Sequence, residues 1–144
     1  MGTSFPKAAK LNFFQIKVGD ECYFEKVISE KDVQDFAQLT GDFNPLHVDH
    51  AFGSKSQFGQ PVVHGMLAGS LFSALVGMKC PGENSLYLSQ TLNFRRPLFH
   101  GDRITVKGTV VNKNDSIQVI HLKTEILKEG KILIDGEAMV KVIG

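Results

Sequence analysis

Cysteine is scarce: Cys22 and Cys80 are the only two in 144 residues. Two thiols do not make a disulfide framework, and neither has a partner at metal-type spacing. Both read as free thiols of a reducing compartment, the cytoplasm or alternatively the mitochondrial matrix or another organelle. Net charge is nearly absent, at +1. Bulk electrostatics therefore recruit neither nucleic acid nor an anionic membrane surface. No apolar run reaches the roughly 18 residues of a membrane span. The longest, Met66 to Met78, is interrupted by Gly and Ser and reads as a buried helix. The first seventeen residues carry Lys7, Lys10 and Lys17 but no acid, no arginine and no apolar h-region, which argues against a secretory signal. No internal repeat, low-complexity tract or linker divides the chain.

What is present is ordinary for one globular domain: 42% hydrophobic and 22% charged residues. Residues 1–17 are expected to be a loosely held N-terminal tail and residues 18–144 the folded domain. The pattern predicts a strand over 21–28. Ser29 then caps a helix, with Asp32 as its capping-box partner. Val33, Phe36, Ala37 and Thr40 share one face of that helix, and Gly41 is placed to stop it. Residues 48–63 read as loop, with a helical turn around 49–53. From Gly65 to Met78 the pattern is apolar all round, as in a helix buried on most sides.

After Gly82 the period changes to two. Leu86, Leu88, Leu92 and Phe94 share one face, as do Ile104, Val106 and Val110, and then Ile132, Ile134, Ala138 and Val140. Turn signals at 101–102, 112–115 and 129–130 separate these runs. Residues 116–127 mix apolar and polar residues on both faces, as in a central strand or one at a subunit interface. The fold class is α+β, a curved antiparallel sheet wrapped around one long helix.

The segment Gly41-Asp42-Phe43-Asn44-Pro45-Leu46-His47 places an acid and an imidazole five residues apart. Pro45 pushes Asn44 out of the α region, and Gly41 and Asn44 favour turns, so a bent loop rather than a regular helix is expected. A strand would point Asp42 and His47 to opposite faces, whereas a bend can bring them together. A carboxylate and a histidine at one point can move a proton or activate water. The same residues also suit a plain helix C-cap followed by an Asx turn. A second block, Val62-Val63-His64-Gly65-Met66-Leu67, places His64 seventeen residues after His47.

The two blocks together resemble the MaoC-like hydratases, most closely the short (R)-specific enoyl-CoA hydratases, over about Val18 to Val142. The resemblance implies a single hotdog domain that forms a homodimer. It implies (R)-specific hydration of trans-2-enoyl-CoA, or the reverse dehydration of (R)-3-hydroxyacyl thioesters, without a metal or other cofactor. Asp42 and His47 match the catalytic pair, and Gly65 matches the glycine whose backbone N–H holds the thioester oxygen. Ser73 matches a serine that hydrogen-bonds the catalytic acid. Val76 matches a position that closes the acyl pocket. Asn44 and His64 read as supports of the site. Arg95, Arg96 and Lys55 are the cations nearest to hand for a carrier phosphate.

Three other functions compete. A 3-hydroxyacyl-carrier-protein dehydratase would use the same pair on acyl-ACP. A hotdog thioesterase would carry an acid on the central helix, but none lies between Gly65 and Met78. A non-catalytic acyl-CoA-binding module would need no Asp42/His47 pair.

Overall fold

The computed structural model describes residues 4–144. Among them the helix expected after Ser29 is α1, Glu30–Thr40. The Ser29 side chain accepts from the Asp32 N–H, Asp32 answers the Ser29 N–H, and Gly41 ends the helix in the left-handed region at φ 84°. Ahead of it β1 runs Glu21–Val27, and after it come two short helices, α2 (Pro45–Val48) and α3 (His50–Lys55). The α2 turn differs from the expected bend. Proline is well suited to the first helical position, and the Asn44 side chain caps the turn by accepting from Leu46 N–H.

The long helix α4 spans Gly65–Met78. The remaining strands are β2 (Ser85–Gln90), β3 (Asn93–Phe94), β4 (Arg103–Asn114), β5 (Val119–Lys128) and β6 (Lys131–Val142). Their order is β1-β4-β5-β6-β2, all antiparallel, with β3 also on β6. This is the expected hotdog arrangement. The both-faces pattern of β5 is that of a central strand: Ile120, Leu122, Thr124 and Ile126 face the core, with Glu125 also buried on the other side. The β4–β5 turn falls at 115–118, a little later than its Asn-rich signal, because β4 continues through Asn114.

The sheet curls around α4. Phe72 and Leu75 pack with Ile104, Val106, Ile126 and Ile134 in one core cluster. The sheet and helix approach closely at Gly108, where a Cβ would sit 3.0 Å from the tip of Leu75 and push it aside by a few tenths of an ångström. A second cluster, under the C-terminal half of α4, holds Val76, Cys80, Val110, Ile120 and Leu122.

That second cluster corrects the reading of residues 1–17 as a loose tail. Phe13 and Ile16 are each 1% exposed within it. The Ala9 N–H donates to Met78 O, and Glu83 N–H donates back to Ala9 O. The segment has no strand or helix period, so its burial is invisible to pattern reading; two large apolar side chains hold it down. Met1–Thr3 lie outside the described residues. A second correction concerns β2. Leu86 and Leu88 share a face, but it points outward, while Tyr87 packs inward. On an edge strand the alternation marks two faces without saying which is the core.

Cys22 and Cys80 are free and lie beside one another. Their hydrogen bond holds the Cys22 thiol below its ordinary value and pushes Cys80 up, and burial raises Cys80 further.

Replacing Phe13 by Ala should cost about 3–5 kcal/mol, the usual range for removing a buried phenyl ring. Urea denaturation followed by circular dichroism measures it. A loss below about 1 kcal/mol would mean that the N-terminal segment is not part of the core.

Candidate active site

The site forms where α2, the segment before α4 and the N-terminus of α4 meet. Leu46 O accepts from Val62 N–H at 3.0 Å, and His47 Nδ1 lies 2.6 Å from Val62 O. A carbonyl oxygen can only accept, so Nδ1 carries the proton. In the neutral ring Nε2 is then left with its lone pair, as a general base requires. Val63 N–H donates to Leu98 O, which ties this segment in turn to the chain leading into β4.

Asp42 follows the α1 cap and is exposed. Its Oδ1 accepts from Asn44 N–H at 3.1 Å, and its own N–H donates to Thr40 Oγ1. Its carbonyl lies 3.0 Å from His64 Nε2, which therefore donates. His64 is 2% exposed and sits between two rings. His47 stacks on it at 4.1 Å with planes 29° apart, and Phe36 lies 4.8 Å away on a tilt. Its Nδ1 is buried without a hydrogen-bond partner.

Ligand atoms of Asp42, His47 and His64 all lie within 4.8 Å of one another. The two side chains expected to converge do so, although α2 rather than an irregular bend carries His47. The trio fits a metal poorly. Imidazole lone pairs lie in the ring plane, and two stacked rings aim theirs along nearly parallel planes rather than at one point. His64 Nε2 and His47 Nδ1 are also already committed to carbonyls.

Gly65 is the first residue of α4, next to His47 on the wall of a cavity of about 490 Å³. First-turn N–H groups have no partner within a helix, and His64 supplies no side-chain cap. The positive end of the helix, with its unpaired first-turn donors, thus lies at a residue that lines the cavity. A Cβ at Gly65 would fall 2.7 Å from Phe94 Cε1. Phe94, Leu98 and Ile134 make the cavity largely apolar, and Arg95 and Arg96 also line it.

Other expected residues lie elsewhere. Ser73 is exposed on α4, and the hydrogen bonds of Asp42 run to Thr40, Asn44 and His64 rather than to it. Val76, 1% exposed, packs in the cluster of Phe13 and Ile16 and does not line the cavity. It faces the sheet because it follows Phe72 by four residues on the buried face of α4. Asn44 acts through its cap on α2 and through its N–H on Asp42. Lys55 ends α3 and lines neither the cavity nor the groove beside Arg96. Sequence reasoning misses Val62 and Phe94. Val62 acts through a carbonyl, which every residue has; Phe94 offers only an alternating apolar pattern.

The His47 ring should be the Nδ1–H tautomer when neutral. Nitrogen-15 NMR of the imidazole should find Nδ1 pyrrole-like and Nε2 pyridine-like, with the Nδ1 proton slow to exchange. The opposite assignment would remove Nε2 as a base.

Comparison with known proteins finds relatives over most of the chain. The family model "MaoC like domain" matches residues 13–131. The chain is 41% identical over 128 residues to an (R)-specific enoyl-CoA hydratase from Aeromonas caviae, covering 88% of this chain and 96% of the relative. It is 37% identical to a 3-hydroxybutyryl-CoA dehydratase from Methylorubrum extorquens, covering 95% and 87%. Among solved structures it resembles an (R)-hydratase from A. caviae involved in PHA biosynthesis, with TM-score 0.86 and 41% identity over 88% of this chain and 97% of the other.

Proposed function

The chain belongs to the MaoC-like family, and from that premise we propose that it is a hydro-lyase adding water to trans-2-enoyl-CoA to give the (R)-3-hydroxyacyl thioester, and running the reverse dehydration. The observation that carries the reading is the Val62 carbonyl on His47 Nδ1, which leaves Nε2 free as a base on a ring that has a nitrogen within 4.8 Å of an Asp42 carboxylate oxygen. Gly65 brings an oxyanion donor to the cavity that His47 also lines.

Water gives a proton to His47 Nε2 as its oxygen bonds to C3. The C2–C3 π electrons shift toward the thioester, whose oxygen gains negative charge and accepts from Gly65 N–H. The proton taken up by His47 passes to the Asp42 carboxylate and from it to C2, so one water adds across the double bond and the neutral imidazole and the carboxylate are both restored. Groups fixed on one side of the site would deliver water and proton to the same face of the double bond, and the face that the bound substrate turns toward them sets the configuration at C3. His64 acts as a positioning residue: it holds the Asp42 carbonyl and backs the His47 ring.

The carrier is coenzyme A in this reading, with acyl-carrier protein as the second choice. The relatives named for CoA thioesters favour the first. Two free thiols suit the cytoplasm or the mitochondrial matrix. No helix among the described residues is long and apolar enough to cross a membrane. We also assign a homodimer. Strand β2 is an edge of the sheet and exposes Leu86 and Leu88 outward, and an unpaired apolar edge is suited to a second copy.

Crotonyl-CoA should lose its enoyl absorbance with the protein, and no free thiol should appear. Asp42→Asn and His47→Gln should each keep the fold and lower kcat by about 10²–10⁴-fold. The double variant should lose little more than either single one, because the groups act as a unit. Near-normal turnover in either single variant would sink the pair; release of free CoA would favour a thioesterase.

Light scattering should give twice the 15.9 kDa chain mass. A fully active species at the mass of one chain would exclude the dimer.

A further inference from the structure

Cys22 and Cys80 are nucleophilic side chains that the hydration chemistry does not use. They are fifty-eight residues apart in sequence and belong to different parts of the fold. Cys22 stands on β1, directly opposite Gly108 of β4. A Cβ on Gly108 would lie 3.4 Å from Cys22 Sγ and 3.0 Å from Leu75 Cδ2, so the Cys22 thiol points inward, toward α4. Cys80 comes one residue after Lys79, the cap of α4, and its N–H donates to Leu75 O at 3.2 Å. Leu75 thus marks the place where the two segments come together. Both thiols pack in the second core cluster, beside Val76 and Val110.

The two differ in access. Cys80 is 5% exposed, whereas Cys22 is only partly buried. Strand β1 is also the edge of the sheet opposite to β2, so the assigned dimer leaves Cys22 open. An oxidant from solvent therefore meets Cys22 first. The hydrogen bond with Cys80, then the Gly108 backbone and the Lys79 charge, hold the Cys22 thiol below its ordinary value against the effect of burial. That favours the thiolate, the form that attacks a peroxide. Cys80 is pushed up by the same hydrogen bond and then by burial, and stays an inert thiol while Cys22 is reduced.

We propose that Cys22 and Cys80 form a reversible redox site, in which a peroxide oxidises Cys22 and Cys80 resolves it to an intramolecular disulfide that staples β1 to the end of α4. The Cys22 thiolate attacks one peroxide oxygen. The O–O bond breaks, hydroxide leaves, and Cys22 becomes a sulfenic acid, oxidised by two electrons. The Cys80 sulfur then attacks the Cys22 sulfur. The S–O bond breaks, and the hydroxide that leaves takes the Cys80 proton and becomes water. Two thiols and one hydrogen peroxide thus give one disulfide and two waters. A dithiol reductant reverses the step by thiol–disulfide exchange. Cys80 lies past the end of α4, where the chain can shift toward Cys22 without disturbing the helix. Gly65 stands at the opposite end of α4, about 20 Å along the helix at 1.5 Å per residue, so the staple leaves the hydration site alone. Its effect falls on the unfolded chain, which loses the freedom of a long loop.

The test treats the reduced full chain with hydrogen peroxide, as wild type, Cys22→Ser and Cys80→Ser. The wild-type mass should fall by two hydrogen atoms, and thiol titration in denaturant should go from two thiols to none. Peptide mapping should find Cys22 joined to Cys80. The thermal midpoint should rise by about 5 °C or more and return on adding dithiothreitol, while turnover of crotonyl-CoA stays the same. Cys80→Ser should stop at the sulfenic acid, which dimedone traps, and Cys22→Ser should not be oxidised at Cys80. A disulfide between two chains, Cys22 oxidised further with Cys80 still free, or Cys80 reacting equally well in Cys22→Ser would overturn the inference. An unchanged midpoint in the oxidised wild type would remove the staple. Mass and thiol titration read the redox site whether or not the chain hydrates an enoyl thioester.

Discussion

Burial of α4 inside the curl of the sheet is the constraint on which the rest depends. The helix has no charged residue between Gly65 and Met78, so it is stable only with its apolar surface covered. Phe72 and Leu75 meet β4, β5 and β6, and Gly108 lets β4 come close to Leu75. Once α4 is held this way its N-terminus is fixed in space, and with it His64 and Gly65. The site is thus built on the end of a helix anchored by its buried face, although several of its residues sit on short exposed turns.

The short turns gain their rigidity from hydrogen bonds to that frame. Val62 exchanges two bonds with α2, one through the backbone of Leu46 and one through the ring of His47. His64 reaches back from the α4 end to the Asp42 carbonyl and stacks on His47. Each member of the pair is therefore tied to the chain just before α4 by a separate contact. A geometry held this way needs little rearrangement when charge develops, which is the property that electrostatic catalysis requires.

The cavity wall shows how one segment serves two purposes. Residues 93–98 cross from β3 toward β4, pair with β6 through Phe94 and Ile134, and place Phe94 against Gly65. The next two residues are the arginines, anchored on Leu133 O. Apolar wall and cationic rim are consecutive in sequence because the chain leaves the core and reaches the surface within a few residues there.

Local signals are legible in the amino-acid sequence alone. The capping box of Ser29 and Asp32, the Gly41 stop, the extent of α4 and the alternation of β4 and β6 all depend on neighbours in sequence, and all of them form; the burial of α4 is one-sided, with Met66, Ser70, Ser73 and Ala74 exposed. The Asp42/His47 pair and Gly65 are likewise readable, because two motifs at a set separation mark them by residue type. Tertiary structure decides what no local pattern encodes: that Phe13 and Ile16 close the second core, that Leu86 and Leu88 point outward, and that Val76 faces the sheet. It also decides the state of His47, because the group that sets its tautomer is the backbone carbonyl of Val62, fifteen residues away. A carbonyl is common to every residue, so its partner is chosen by where the folded chain passes and by nothing that the side-chain sequence spells out.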